Sequence, residues 1–273
     1  MASVAFQLAA ARRPRAFVRV AGPDAESYLQ RMLSNDVEAL EPGEACEALL
    51  LTAKARVIAP LRVLRRSPDD FLLLTEPELG ERVRAELLRF RFAATCEIEP
   101  EEHESVLLLG DEARAPEGPL ALSNEDYGVR ALEVIDGPAP EAAELAEEEL
   151  ELLRIEAGTP RFGREIDDRV LPAEAGLVER AVSLTKGCYP GQEPIARLHH
   201  RGHANRGLRV LAIDGDELPA YDADVRLGEK AVGRVTSAAR SPEGGIVALA
   251  YVRLGVPDDA ELTVGSATAR PLH

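Results

Sequence analysis

The stretch TKGCYPGQEPIARLHHRGHANRG, residues 185–207, gathers one of the three cysteines (Cys188), three of the five histidines (His199, His200, His203) and one of the three lysines (Lys186) of the chain. A lysine two residues before a cysteine could favour the thiolate if the two lie close. Gly187, Pro190 and Gly191 argue for a tight loop, and a glycine beside the thiol lets backbone N–H groups approach a ligand. No histidine pairs obviously with Cys188, since His199 is eleven residues on. The residues alone therefore leave two readings open: a reactive thiol, or a small hydrophobe packed into a loop. Glu193 is equally ambiguous. It suits a ring N–H of a heterocycle, or an i,i+4 ion pair with Arg197. His199 and His200 are adjacent, so their side chains diverge on any regular element, and no acidic ligand lies near. With no CxxC spacing either, no metal site is expected.

Charge sharpens the question. The chain of 273 residues has a net charge of −16, which disfavours general binding to nucleic acid or to an acidic membrane. Yet from Arg180 to Arg209 six basic residues (Arg180, Lys186, Arg197, Arg201, Arg206, Arg209) face one acid, Glu193, leaving +5 locally and −21 elsewhere. That asymmetry fits a local anion site or an ordinary solvated basic loop. A second segment, LLRIEAGTPRFGREID, brings Arg154, Arg161 and Arg164 to the end of a helix, where a guanidinium facing a cavity can hold a carboxylate in two-pronged fashion.

Cys46, Cys96 and Cys188 are far apart and odd in number, so a disulfide framework is not expected and a reducing, cytoplasmic setting is. No apolar run approaches the roughly 18 residues that span a bilayer. The N-terminal MASVAFQLAAARRPRAF has its charges after its apolar run, unlike a secretory signal, and contains a first strand, VAFQLAA. The length points to two or three domains.

The elements that must hold these groups follow from periodicity. GPDAESYLQRMLSNDV predicts a helix capped by Asp24, with Tyr28, Leu29, Met32 and Leu33 inward and an end near Ser34-Asn35-Asp36. ACEALLLT, ARVIAPLRVLRR and DFLLLT read as strands, with a bulge or edge position at Pro60. PELGERVRAELLRF predicts a helix from Pro77 with Leu79, Val83, Leu87 and Phe90 apolar. PAPEAAELAEEELELLRIEAG predicts one long helix from Pro140 to a stop at Gly158, with Leu145, Leu152 and Leu153 on its apolar side. After Gly207 only short strands and turns remain, a pattern of a small closed barrel or sandwich.

Taken together, KGCYPGQEPIAR and HRGHANRGLRVL resemble the signature of the YgfZ family, relatives of the aminomethyltransferase (T-protein) of the glycine cleavage system. Lys186, Gly187, Cys188, Tyr189, Gly191, Gln192, Glu193, Arg197, Arg201, Gly202, Arg206 and Leu208 fill its positions. GPDAESYLQRMLSNDV, LLLTAKARVIAPLRVLR and LLRIEAGTPRFGREIDDRVLPAEAGL are similar to three further family segments. The resemblance implies an α+β, T-protein-like fold: two α+β modules around a central channel (residues 1–110 and 111–204) and a C-terminal small β-barrel (205–273). It implies tetrahydrofolate or a derivative as ligand, and a role in iron–sulfur cluster assembly or repair that affects tRNA-modifying enzymes, with iron–sulfur enzymes or assembly proteins as partners. Cys188 is the candidate catalytic group. Asn35, Asp36, Arg154, Lys186, Tyr189, Gln192, Glu193 and Arg197 are the candidate folate contacts, and the protein is expected to be a monomer. One departure matters. Where T-proteins carry an acidic pair for aminomethyl transfer, this chain has Ala59-Pro60, which cannot act as acid or base. Aminomethyltransferase activity is therefore not expected. The Gly-Glu-x-Gly stretch of T-proteins is likewise not matched by SNEDYGVRALEVI. A one-carbon transferase and a non-enzymatic RNA- or protein-binding module stand as alternatives.

Overall fold

The computed structural model describes residues 7–138, 142–202 and 204–272. Strands β1 (Ala9–Arg12) and β2 (Ala16–Ala21) are three residues apart, yet they belong to different sheets. After β2 come helix α1 (Ala25–Met32), strands β3 (Ala45–Leu51), β4 (Val57–Ser67) and β5 (Asp70–Thr75), helix α2 (Gly80–Arg89) and strand β6 (Glu97–Glu101). The first sheet runs β3-β4-β5-β2-β6, antiparallel throughout. One face is covered by the two helices through Tyr28, Leu29, Val83 and Leu87. The other packs Phe17, Leu64, Leu72 and Leu74 against the second sheet. Burial on both faces explains why DFLLLT is continuously apolar rather than alternating.

Three local expectations change here. Asp24 stands at the N-cap of α1, but its carboxylate accepts the Thr95 N–H at 2.7 Å instead of capping the helix. Phe90 lies just past α2 and is exposed, because the helix has already left the sheet. Pro60 sits in an inner strand. Its missing N–H breaks no pairing with β5, whose ladder with β4 begins at Arg62, and the adjacent bulge against β3 leaves Ile58 unpaired.

The second sheet, β10-β1-β7-β9-β8, combines β1 with β7 (Ser105–Leu109), β8 (Leu120–Asn124), β9 (Ala131–Ile135) and the two-residue β10 (Ala143–Glu144). A division at residue 110 therefore does not coincide with the sheets: β1 and β7 both lie before it and both belong to the second. The expected long helix is also split. Pro140 lies outside the described residues. β10 pairs in parallel with β1, so the strand edge overrides helix propensity there, and helix α3 spans only Glu147–Glu156. Glu149 accepts the Ala146 N–H at 2.8 Å and fixes that start. Leu153 of α3 faces the second sheet, while Leu152 and Ile155 pack on Val247 and Leu249 of the next unit.

The short helix α4 (Val178–Ala181) and helix α5 (Gln192–Arg201) lead into that unit. Strands β11 (Arg206–Ile213), β12 (Asp224–Leu227), β13 (Lys230–Arg240), β14 (Ile246–Arg253), β15 (Leu262–Val264) and β16 (Ala267–Pro271) close a barrel in the order β11-β14-β13-β12-β15-β16. One further tie to the rest is a ladder of guanidinium and aromatic groups: Arg164, outside the barrel, then Tyr221, Arg234, Tyr251 and Arg206 stack in sequence, with cation-to-ring distances of 4.8–5.9 Å. The Tyr251 hydroxyl donates to the Glu165 carbonyl at 2.8 Å.

Candidate functional site

The motif loop is pinned from inside. Lys186 is buried, and its ammonium donates to the carbonyls of Gln30 (2.6 Å), Leu33 (2.8 Å) and Asn35 (2.7 Å). These carbonyls lie at and just past the C-terminal end of α1, where a cation is favoured. Burial draws Lys186 down to about 8, against the pull of Asp36. Below that pH its three protons match three carbonyls, so it is a peg and has no donor left for a ligand. Tyr189 is equally internal, packed with Leu49, Leu51 and Ile195. Gly191 has a left-handed φ of 85°, and a Cβ there would stand 2.8 Å from the Thr52 carbonyl oxygen, so the loop rests directly on the β3–β4 hairpin. Between two inward anchors, Cys188 is left pointing out: it is exposed. Cys188, the candidate catalytic group, lines neither of the two cavities described below.

The other expected contacts are also committed within the chain. All five N–H donors of Arg154 are engaged, by Glu151 twice, the Thr159 carbonyl, Glu165 and the Ser237 hydroxyl. Glu193 and Arg197 form the exposed i,i+4 pair at 2.7 Å, and the Gln192 side chain donates to the Lys186 carbonyl. Asn35 donates to the Glu47 carbonyl at 2.7 Å and Asp36 accepts from Gln30 at 2.8 Å. Three further basic residues of the stretch from Arg180 to Arg209 are paired with carboxylates. Arg180 pairs with Glu47 and Asp126, Arg206 with Glu174 and Arg209 with Asp258.

A cavity lies elsewhere, beside the first sheet's edge. A space of about 610 Å3, within the range of small-molecule sites, opens between β3, β4, β8 and α4. It leads into a narrow throat of about 70 Å3 between the sheets and the 159–181 segment. Both are lined by Glu47, Arg62 and Arg180, and neither by Cys188 or by any described residue of the barrel. The floor is an alternating chain of charges: Arg13–Glu76–Arg15–Glu133–Arg62–Asp126–Arg180–Glu47. Four guanidiniums meet four carboxylates, sewing the first sheet to the second and to α4. Glu133 is fully buried. Burial opposes its charge, yet Arg15, Arg62 and Arg13 hold it at about 2. Asp126 is lowered in the same way, burial being outweighed by Arg62 and Arg180.

Two cavity groups stand out. Arg62 and Arg180 both reach Glu47 through Oε1, at 3.4 and 2.5 Å, so Oε2 accepts no hydrogen bond among the described residues. Cys46 borders the cavity, but its side chain packs on the α1 side of β3, opposite Glu47, and burial pushes its thiol up to about 12 despite the nearby Lys186 ammonium. The thiol beside Lys186 and Asp36 is thus Cys46. The sequence signal for these residues was a lone charge within an otherwise apolar strand: Arg62 in APLRVL, Glu133 in ALEVI, Glu47 in ACEALLL.

No family model matches the chain. It is 30% identical to the tRNA-modifying protein YgfZ of Edwardsiella ictaluri, over 90% of this chain and 85% of that protein. The chain belongs to the YgfZ family. A second YgfZ-family relative, the tRNA-modifying protein of Shigella dysenteriae, is 28% identical over 85% of this chain and 81% of its own. The glycine cleavage system aminomethyltransferase T of Bartonella henselae superposes with a TM-score of 0.85 at 19% identity, covering 98% of this chain and 86% of the other. This YgfZ-family chain therefore has the T-protein fold, with two mixed modules and the closed barrel. No helix is long and apolar enough to cross a membrane among the described residues.

Proposed function

We propose that the protein serves tRNA modification, as its YgfZ-named relatives do, by binding a reduced folate and supporting iron–sulfur enzymes, rather than by transferring an aminomethyl group. The observation that carries the folate reading is the unpaired Oε2 of Glu47 on a cavity of about 610 Å3. A carboxylate oxygen held in place by two guanidiniums is suited to the N–H edge of a pterin. T-proteins use an acidic pair for aminomethyl transfer where this chain has Ala59-Pro60. Ala59 is fully buried, Pro60 only lines the throat, and Asp126 and Glu133 are held ionised by arginines. Cys188, exposed and outside both cavities, is assigned to contact with a client protein.

Titration with tetrahydrofolate under anaerobic conditions tests this. Saturable binding is expected, and Glu47→Gln should weaken it by about tenfold, equivalent to ~1.4 kcal/mol, while Cys188→Ser leaves it unchanged. In a strain lacking its own YgfZ-family protein, the wild type should restore iron–sulfur-dependent tRNA modification and Cys188→Ser should not. No saturable binding, or full rescue by Cys188→Ser, would refute the corresponding half of the reading.

A further inference from the structure

The cavity mouth carries charge of one sign. Its lining includes four carboxylates, Glu44, Glu47, Glu125 and Glu179, against two guanidiniums, Arg62 and Arg180, a balance of −2. Both guanidiniums are already paired with Glu47 and Asp126. Glu44, Glu125 and Glu179 stand outside those pairs and are exposed at the rim. Of the cationic stretch that follows Arg180 in sequence, Lys186, Arg197, Arg206 and Arg209 do not line the cavity, and the three arginines among them are paired with carboxylates of their own. A cleft lined by one sign of charge between low-dielectric walls focuses its field on whatever enters.

We propose that this rim is an electrostatic filter: the cavity admits neutral or cationic, donor-rich heterocycles and turns away guests that bring a polycarboxylate tail through its mouth, with Glu125 and Glu179 as the specificity-determining residues. This deepens the folate reading by naming the charge class of the guest. It also divides the ligand. The donor edge of a reduced pterin fits Glu47, whereas every carboxylate of a glutamate tail meets like charge at the rim. A tail-less reduced pterin should bind at least as well as tetrahydrofolate, and oligoglutamyl forms should bind progressively less well.

A cysteine placed at Ala45, an exposed cavity-lining position on the same face of β3 as Glu47, provides a test that needs no folate. The full-length Ala45→Cys/Cys46→Ala variant is treated with methanethiosulfonate reagents carrying either a trimethylammonium or a sulfonate head, and modification of the introduced cysteine is followed by peptide mass. Steric restriction at the site slows both reagents alike. Relative to the ratio for a small free thiol, the cationic reagent should be favoured at the introduced cysteine by about fivefold or more at low salt. The preference should collapse toward onefold near 1 M salt, where the screening length is about 3 Å. Glu125→Gln/Glu179→Gln, altering two exposed side chains, should remove most of it. Equal or faster labelling by the anionic reagent overturns the filter. So does a preference untouched by the double substitution, and so does failure of both reagents to reach the introduced cysteine. In a parallel titration, tighter binding of oligoglutamyl than of monoglutamyl tetrahydrofolate overturns it too. If no pterin binds but the charge-selective labelling persists, the filter stands and the folate reading falls.

Discussion

The motif loop and the ionic seam beneath the cavity are opposites. The loop concentrates rare residues in a few consecutive positions, and the fold uses Lys186 and Tyr189 as anchors while leaving Cys188 outside. The seam draws ordinary residues from Arg13 to Arg180, unremarkable one at a time, into one chain of charges whose Glu47, Arg62 and Arg180 line the cavity. Chemical density along a chain marks where a segment is specified; a site is made where distant segments meet. Asn35 links the two regions: its carbonyl accepts from Lys186 at 2.7 Å, and its side-chain amide donates to the carbonyls of Glu47 and Arg180 at 2.7 and 3.4 Å.

Three measurements bear on that contrast. The largest effect is expected in the seam. Glu133→Gln leaves Arg15 buried with only Glu76 at 3.4 Å, and breaking a buried pair should cost about 3 kcal/mol, read as a lowered denaturant midpoint. A loss under about 1 kcal/mol would mean that the seam relaxes, and the two regions would no longer differ in kind. Within the loop, Lys186→Met removes three bonds from an ammonium and should cost about 2 kcal/mol, whereas Cys188→Ser at the surface should stay within about 0.5 kcal/mol. Equal losses from the two would erase the division into peg and exposed thiol.

The smallest effect belongs to a clasp between the sheets. His103, in the link from β6 to β7, lies 2.9 Å from Glu101 and 2.6 Å from Asp136. Burial works against its charge, but the two carboxylates raise it above its ordinary 6.5. A raised histidine contributes stability that is complete below pH 6.5 and fades as pH rises through its folded value. Glu101 and Asp136, both lowered despite burial by their bonds to Arg66 and His103, contribute stability above their ordinary 4.5 and 3.8 that is lost on acidification. The clasp is thus strongest between about pH 4.5 and 6.5. His103→Gln should flatten the decline in melting temperature above pH 6.5, and an unchanged profile would remove the clasp.

Much of the fold was legible in the sequence, because its signals are local. Tyr28, Leu29, Met32 and Leu33 mark the inner side of α1, and the turn-rich strands after Gly207 close the barrel. What was not legible depends on pairing across the chain. Nothing near Ala143 announces a partner at Ala9, so Pro140–Gly158 reads as one helix. The Glu193–Arg197 pair was visible because both partners sit on one helix. Glu47, Asp126 and Arg180 were not, because each is explained only by the other two.

The three residues between β1 and β2 have a consequence for synthesis. As the chain emerges, the first sheet has all its strands once Glu101 is out, but β1 has no neighbour until Ser105–Leu109 appears and no outer edge partner until Ala143–Glu144. The N-terminal strand must wait, unpaired, while the module that follows it is finished. A nascent chain halted near residue 101 should therefore hold a protease-resistant core from which the first dozen residues can be trimmed, and that trimming should stop once residues 105–144 have left the ribosome.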